Sequence, residues 1–267
     1  MINHLYLDIE TIPAQRPDVM AEITAEHQSA LEVAVAAIQP PGNIKLQESK
    51  DKWFADEAPA KAKALRDGVA ADIDAAYRKT GLDGSFGQIC VIGFALDDEA
   101  PRTVYALEWA AKGIEHELLE DFYCELTDLI PRNQERSVCV VGHNVSGFDL
   151  RFMAQRSIVN RVQPHRVIAS ACQAKPWETE KVFDTMVQWG GVGARAGGSL
   201  DRICKALSIP TPKSGITGAQ VWDNVKAGHI TAVAEYCKRD VIATREVHRR
   251  LTFRSAPVVQ MFDDVPA

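Results

Sequence analysis

No apolar run in this 267-residue chain approaches the length needed to span a membrane, and the first strand-like stretch begins almost at Met1, leaving no room for a secretory leader. Both absences lead to the expectation of a cytoplasmic protein. Cysteines at short spacing are missing too. The six that occur (Cys90, Cys124, Cys139, Cys172, Cys204, Cys237) are far apart, and Cys90, Cys139 and Cys204 lie in apolar segments. They read as reduced core residues, not as zinc ligands or disulfide partners. Positive charge is not in excess: 30 Lys and Arg stand against 36 Asp and Glu, a net charge of -6, so composition announces no nucleic-acid binder. Internal repeats are absent. The one Gly-rich tract, Gly190 to Gly198, lacks the third glycine of a dinucleotide fingerprint and reads as a connection.

What is present is length enough for a single domain, 1–267, that buries roughly 70% of its unfolded surface. Charge is also uneven. From Leu150 to Gly215 ten basic residues face four acidic ones, so one third of the chain is suited to a polyanion, although scattered surface Arg and Lys give the same count.

The stretch His4-Leu5-Tyr6-Leu7-Asp8-Ile9-Glu10-Thr11 alternates as a strand does, with Leu5, Leu7 and Ile9 on one face and Tyr6, Asp8 and Glu10 on the other. Asp8 and Glu10 are therefore neighbours, and two like charges in a half-buried strand repel unless a cation lies between them. A divalent metal would supply it. Pro13 and Pro17 break the chain, and helical patterns follow at about 18–38 and 59–79, the second with a stripe of Leu65, Val69, Ile73 and Tyr77. This is read as a helical insertion, about 18–86, between strands one and two. Within it Trp53 and Phe54, beside Lys50 and Lys52, offer aromatic faces for bases, with packing as their simpler role.

The remaining strands are expected at Gln88–Leu96, Thr103–Leu107, Ser137–Gly142 and Val182–Val187. Helices are expected at about 114–130, from Phe148 onward, from Ser199 to about Leu207 and from about Ile230 to Leu251, before a short tail at about 252–267. Such an order gives a mixed five-stranded sheet with helices on both faces, an α/β fold.

Asp149 falls where the loop His143-Asn144-Val145-Ser146-Gly147 meets the next helix, a place that suits a helix-start acid as well as a ligand. Tyr236 and Asp240, four apart, share one face of the last helix. Together, Asp8-Ile9-Glu10-Thr11, Asn144 with Phe148-Asp149, and Tyr236 with Asp240 resemble the three motifs of the DEDD 3'-5' exonucleases, tyrosine subtype. Within that superfamily the chain is most similar to the proofreading exonuclease domain of family B DNA polymerases. Glu235 to Val241 and the upstream Gly218-Ala219-Gln220-Val221-Trp222 look like its stand-alone bacterial relatives. The resemblance spans Leu5 to about Leu251 and explains 18–86 least.

That resemblance implies a ribonuclease-H-like fold and two divalent ions, Mg²⁺ or Mn²⁺, held by Asp8, Glu10, Asp149 and Asp240, with Asp8 bridging both. Tyr236 would orient the attacking water, Thr11 and Ile12 would meet the terminal nucleotide, and Asn144 and Phe148 the penultimate one. The activity implied is 3'-5' removal of nucleoside 5'-monophosphates from single-stranded DNA. RNA is the alternative substrate, and a non-catalytic nucleic-acid-binding or polymerase-associated module the alternative class. Proofreading by so short a chain would act in trans. The segment Val259-Gln260-Met261-Phe262-Asp263 faintly resembles a sliding-clamp peptide.

Overall fold

The computed structural model describes residues 2–191, 198–211 and 215–254. The clamp-like segment at 259–263 and most of the Gly-rich tract lie outside these residues. In chain order the elements are β1 (Asn3–Ile12), α1 (Pro17–Ala36), α2 (Gln47–Asp56), α3 (Ala58–Lys79), β2 (Gln88–Leu96), β3 (Arg102–Tyr105), α4 (Ile114–Leu129), β4 (Val138–Gly142), α5 (Asp149–Asn160), α6 (Arg166–Cys172), β5 (Val182–Asp184), α7 (Thr185–Gly190), α8 (Leu200–Ala206), α9 (Val221–Lys226) and α10 (Ile230–Leu251). They form two compact units, Met1–Ile12 with Gln88–Ala267, and Pro13–Gly87.

The first unit is built on a mixed five-stranded sheet in the order β3-β2-β1-β4-β5. β1 pairs antiparallel with β2 and parallel with β4; β5 is parallel to β4, and β3 antiparallel to β2. As the central strand, β1 is covered on both faces. Its odd residues Leu5, Leu7 and Ile9 pack with Leu119 and Phe122 of α4 and with Phe152 and Met153 of α5. Tyr6 on the opposite face packs with Val241 of α10. Alternation thus carries Asp8 and Glu10 to the side on which α10 lies.

Two local features set the height of the site along the sheet. β4 stops at Gly142, and its last pair with β1 is Val141 with Tyr6, so β1 continues for six residues beyond that pair. The backbone donors on that side of β1 then need other acceptors. On the other side, Gly93 of β2 stands opposite Asp8, and a Cβ there would lie 2.6 Å from Cys237 Sγ. Only a residue without a side chain lets α10 approach this closely.

The expected strand at Val182–Val187 ends at Asp184 instead. The Asp184 carboxylate accepts from the backbone N–H of Met186 and Val187 and caps a helical turn, so β-branched Thr185 and Val187 enter α7. α6 and α9 were not expected either; at 7 and 6 residues they are too short to show periodicity. Cys124 is exposed, contrary to the core reading, whereas Cys90, Cys139, Cys204 and Cys237 are buried.

In the second unit α1 and α3 lie side by side, with α2 against α3. The expected stripe on α3 is only half-buried, and Leu65 is exposed. Tyr77 donates its hydroxyl to the Ala14 carbonyl, and Thr80 accepts from the Ala14 N–H. Trp53 of the unexpected α2 is buried, edge-on to Phe54 with Lys61 over its ring, which is a packing role.

Candidate active site

Asp149 enters the site because β1 needs it. One carboxylate oxygen accepts the Ile9 N–H at 3.0 Å, on the stretch of β1 that β4 no longer covers. The acid therefore stands beside the backbone between Asp8 and Glu10. It is also the first residue of α5, where a negative charge is favoured by the helix dipole. From the other side α10 brings Tyr236 and Asp240, both buried, with the Tyr236 hydroxyl hydrogen-bonded to the Asp240 carboxylate.

The electrostatics follow from this crowding. Burial and then the neighbouring Asp240, Glu10 and Asp149 push the Asp8 carboxyl well above its ordinary range; burial, Asp240 and Asp149 do the same to Glu10. Asp149 rises to about 7, chiefly through burial and against the relief given by its backbone hydrogen bonds. The Tyr236 phenol is raised by burial and by the carboxylates around it, so it remains protonated. The charged forms of Asp8, Glu10 and Asp149 are made unfavourable by burial and by the acids around them, a condition that bound positive charge relieves. Ligand atoms of Asp8, Glu10 and Cys237 lie within 4.8 Å of one another. The two carboxylates of that set, with those of Asp149 and Asp240 that act on them electrostatically, are hard oxygen donors that suit a divalent cation such as Mg²⁺ or Mn²⁺, whereas the Cys237 thiol is a soft donor.

The loop before α5 is held by residues far along the chain. Asn144 adopts a left-handed backbone with φ of 59°, and its carbonyl accepts from Gly147 and Phe148. A Cβ on Gly147 would lie 2.5 Å from the Asn144 side-chain oxygen, so a side chain there would push the Asn144 amide aside. Asp184 accepts from the N–H of Asn144 and of Ser146, each at 3.0 Å, while Thr185 donates to the Gly142 carbonyl and hydrogen-bonds His143. Phe148 is half-buried, its ring against Phe152.

Thr11 follows a register shift between Glu10 and Thr11 and is partly exposed beside the cluster. Ile12 is different. Its side chain is fully enclosed with Cys90, Val91, Val221 and Tyr236 and is not open to a nucleotide.

Three residues escaped the sequence reading. Cys237, read as a plain core thiol, is buried but also donates its S–H to Asp8 Oδ2 at 3.3 Å; adjacency to Tyr236 was the available signal. Asp184 organises the Asn144 loop, and its position between a short strand and a helical turn was the clue. Glu115, on the first turn of α4, is buried and accepts from the Ile89 N–H, from Arg156 Nε and Nη2 and from Asn160, tying α4 and β2 to α5. Nothing local in the sequence betrays it.

No curated protein matches the chain. A family model described as a predicted 3'-5' exonuclease related to the exonuclease domain of PolB matches residues 82–260, about two thirds of the chain. The match includes Asp149, Tyr236 and Asp240, while Asp8 and Glu10 precede it and reach the same site through the pairing of β1. The protein therefore belongs to this predicted family of 3'-5' exonucleases related to the PolB exonuclease domain, and is a phosphodiester hydrolase.

Proposed function

We propose that the protein removes nucleoside 5'-monophosphates one at a time from the 3' end of single-stranded DNA, using two divalent ions held by Asp8, Glu10, Asp149 and Asp240. The observation that carries this reading is the convergence of acids from β1, the start of α5 and α10 on one patch where each raises its neighbours' pKa. When bound, a pair of divalent cations supplies a water acidic enough to attack at neutral pH and offsets the charge that builds on the phosphate and the leaving oxygen.

The chain's own residues do the rest. Asp149, anchored through one oxygen by the Ile9 N–H, would hold an ion through its other oxygen. Cys237 holds one oxygen of Asp8, which limits that carboxylate's rotation. The protonated Tyr236 is a poor base and acts by orienting the attacking water through its hydroxyl. Asn144 and Phe148, presented by the loop that Asp184 braces, position the penultimate nucleotide, and Thr11 the terminal one. In the reaction the water oxygen bonds to phosphorus, the bond to the upstream 3'-oxygen breaks, and that oxygen gains the proton. The products are a nucleoside 5'-monophosphate and a strand one unit shorter with a 3'-hydroxyl.

The test is a denaturing-gel time course with 5'-labelled single-stranded DNA and RNA of one sequence, with Mn²⁺ or with chelator. A ladder shortening by single nucleotides, dependent on metal and faster on DNA, is expected. Faster loss of RNA would reassign the substrate, and no shortening of either strand would remove the reading.

A further inference from the structure

Beside the acidic cluster the first unit carries a groove of about 650 Å³ that the chemistry above does not use. Asn144 and Ser146 of the loop before α5 line it, as do Arg151 and Ile158 of α5, Lys175 after α6 and Val182 of β5. Its volume falls within the roughly 300–1,000 Å³ of ligand-binding sites. Asn144 of the lining belongs to the loop before Asp149 and Leu150 of the lining follows it, so the groove lies beside the start of α5 that carries Asp149.

Its chemistry is that of a surface for single strands. Arg151 and Lys175 are exposed, and the one acid in the lining, Asp184, already accepts four backbone N–H groups and is buried. Trp177, two residues after Lys175, is 73% exposed, and the Lys175 ammonium lies 5.4 Å from its ring centroid. Ile158 of the lining is 78% exposed. An exposed tryptophan beside a cation gives one base a face to stack on and one phosphate a partner, with no demand on base identity.

We propose that this groove holds the single strand upstream of the two terminal nucleotides, with backbone phosphates at Arg151 and Lys175 and a base stacked on Trp177. The proposal rests on the exonuclease reading above and adds where the rest of the substrate lies. It makes the enzyme length-selective: a 12-mer occupies the groove, whereas a dinucleotide ends at Asn144.

The experiment compares the full chain with its Arg151→Glu/Lys175→Glu and Trp177→Ala variants on a dinucleotide and on a single-stranded 12-mer. Hydrolysis is followed with Mn²⁺, and anisotropy of the labelled 12-mer with chelator. For the charge-reversed variant we expect 12-mer KM and Kd to rise about tenfold, with a shallower salt dependence, and dinucleotide kinetics to move less than twofold. Trp177→Ala should weaken 12-mer binding without changing the salt slope. Equal changes on both substrates, or no change on either, would overturn the groove assignment. Failure of the unmodified protein to cleave either substrate would instead overturn the exonuclease reading beneath it.

Discussion

Among single residues, Asp149 shows the conflict between stability and chemistry most directly. Its carboxyl is raised to about 7 by burial and by its acidic neighbours, so in the metal-free protein near neutral pH it is held at a cost in folding energy. Asp149→Asn keeps an oxygen for the Ile9 N–H and removes the charge. We expect this variant to be more stable than the parent by roughly 1–3 kcal/mol in chelator at pH 7.5, read by denaturant unfolding. Its exonuclease activity should fall by at least the roughly 100-fold that loss of an outer-sphere partner brings. Unchanged stability would mean that the acids do not repel as their proximity demands.

On the scale of elements, α10 and α5 decide whether the site assembles. Tyr236, Asp240, Thr244 and His248 recur every four residues on α10, all buried although polar, a stripe that packing alone does not call for. Below it, Cys237 and Val241 face β2, and the missing side chain of Gly93 sets their distance. Gly93→Ala should cost about 1–3 kcal/mol by overpacking and reduce activity by displacing Tyr236 and Asp240. Adding Cys237→Ala, which removes the nearest atom, should restore part of the stability in a double-mutant cycle. Simple additivity would show that the contact does not set the helix position.

α5 is secured at its other end. Glu115 and Arg156 form a buried bidentate pair that also takes up the Ile89 N–H. Glu115→Ala leaves a buried guanidinium and an N–H without this acceptor, and a loss of about 3–5 kcal/mol is expected in thermal or denaturant unfolding. Replacing both partners with apolar residues should cost less than the single change. These links were not legible in the sequence. Glu115 there looks like any acid in a first helical turn, and only the register that sets β2 beside α4 makes it a partner of Ile89.

For the whole molecule, pH acts in two opposed directions. The raised carboxyls of Asp8, Glu10 and Asp149 bind protons more tightly folded than unfolded. Their contribution is therefore fully present below the ordinary carboxylate range near 4 and is lost as pH rises through the raised values, about 7 for Asp149. His248, lowered to about 3 by burial and by nearby His4 and arginines, and hydrogen-bonded to the Tyr6 hydroxyl, is neutral in the fold. Its contribution is full above about 6.5 and is lost as pH falls. Metal competes with protons for the first group only. The rise in Tm on adding Mn²⁺ should therefore be small at pH 5 and large at pH 7.5, measured against chelator at each pH; equal rises would dispose of the carboxylate cluster as the binding site.

Periodicity carries the architecture. Alternation in β1 separates the Leu5 face from the Asp8 face, four-residue spacing aligns Tyr236 with Asp240, and the unbroken apolar run of β2 marks a buried strand, all visible in the chain because neighbours in sequence are neighbours in space. Chemistry of long range was decided by tertiary structure alone. The early end of β4 gives Asp149 its place between Asp8 and Glu10; a strand cut short makes Asp184 the brace of the Asn144 loop; close approach across Gly93 turns Cys237 from core thiol to partner of Asp8; and the same packing encloses the Ile12 side chain. Strand register and helix approach depend on residues far apart in the chain; Asp8 and Cys237 are separated by 229 positions. No local pattern encodes such a distance, because it is the sum of every packing choice between its ends.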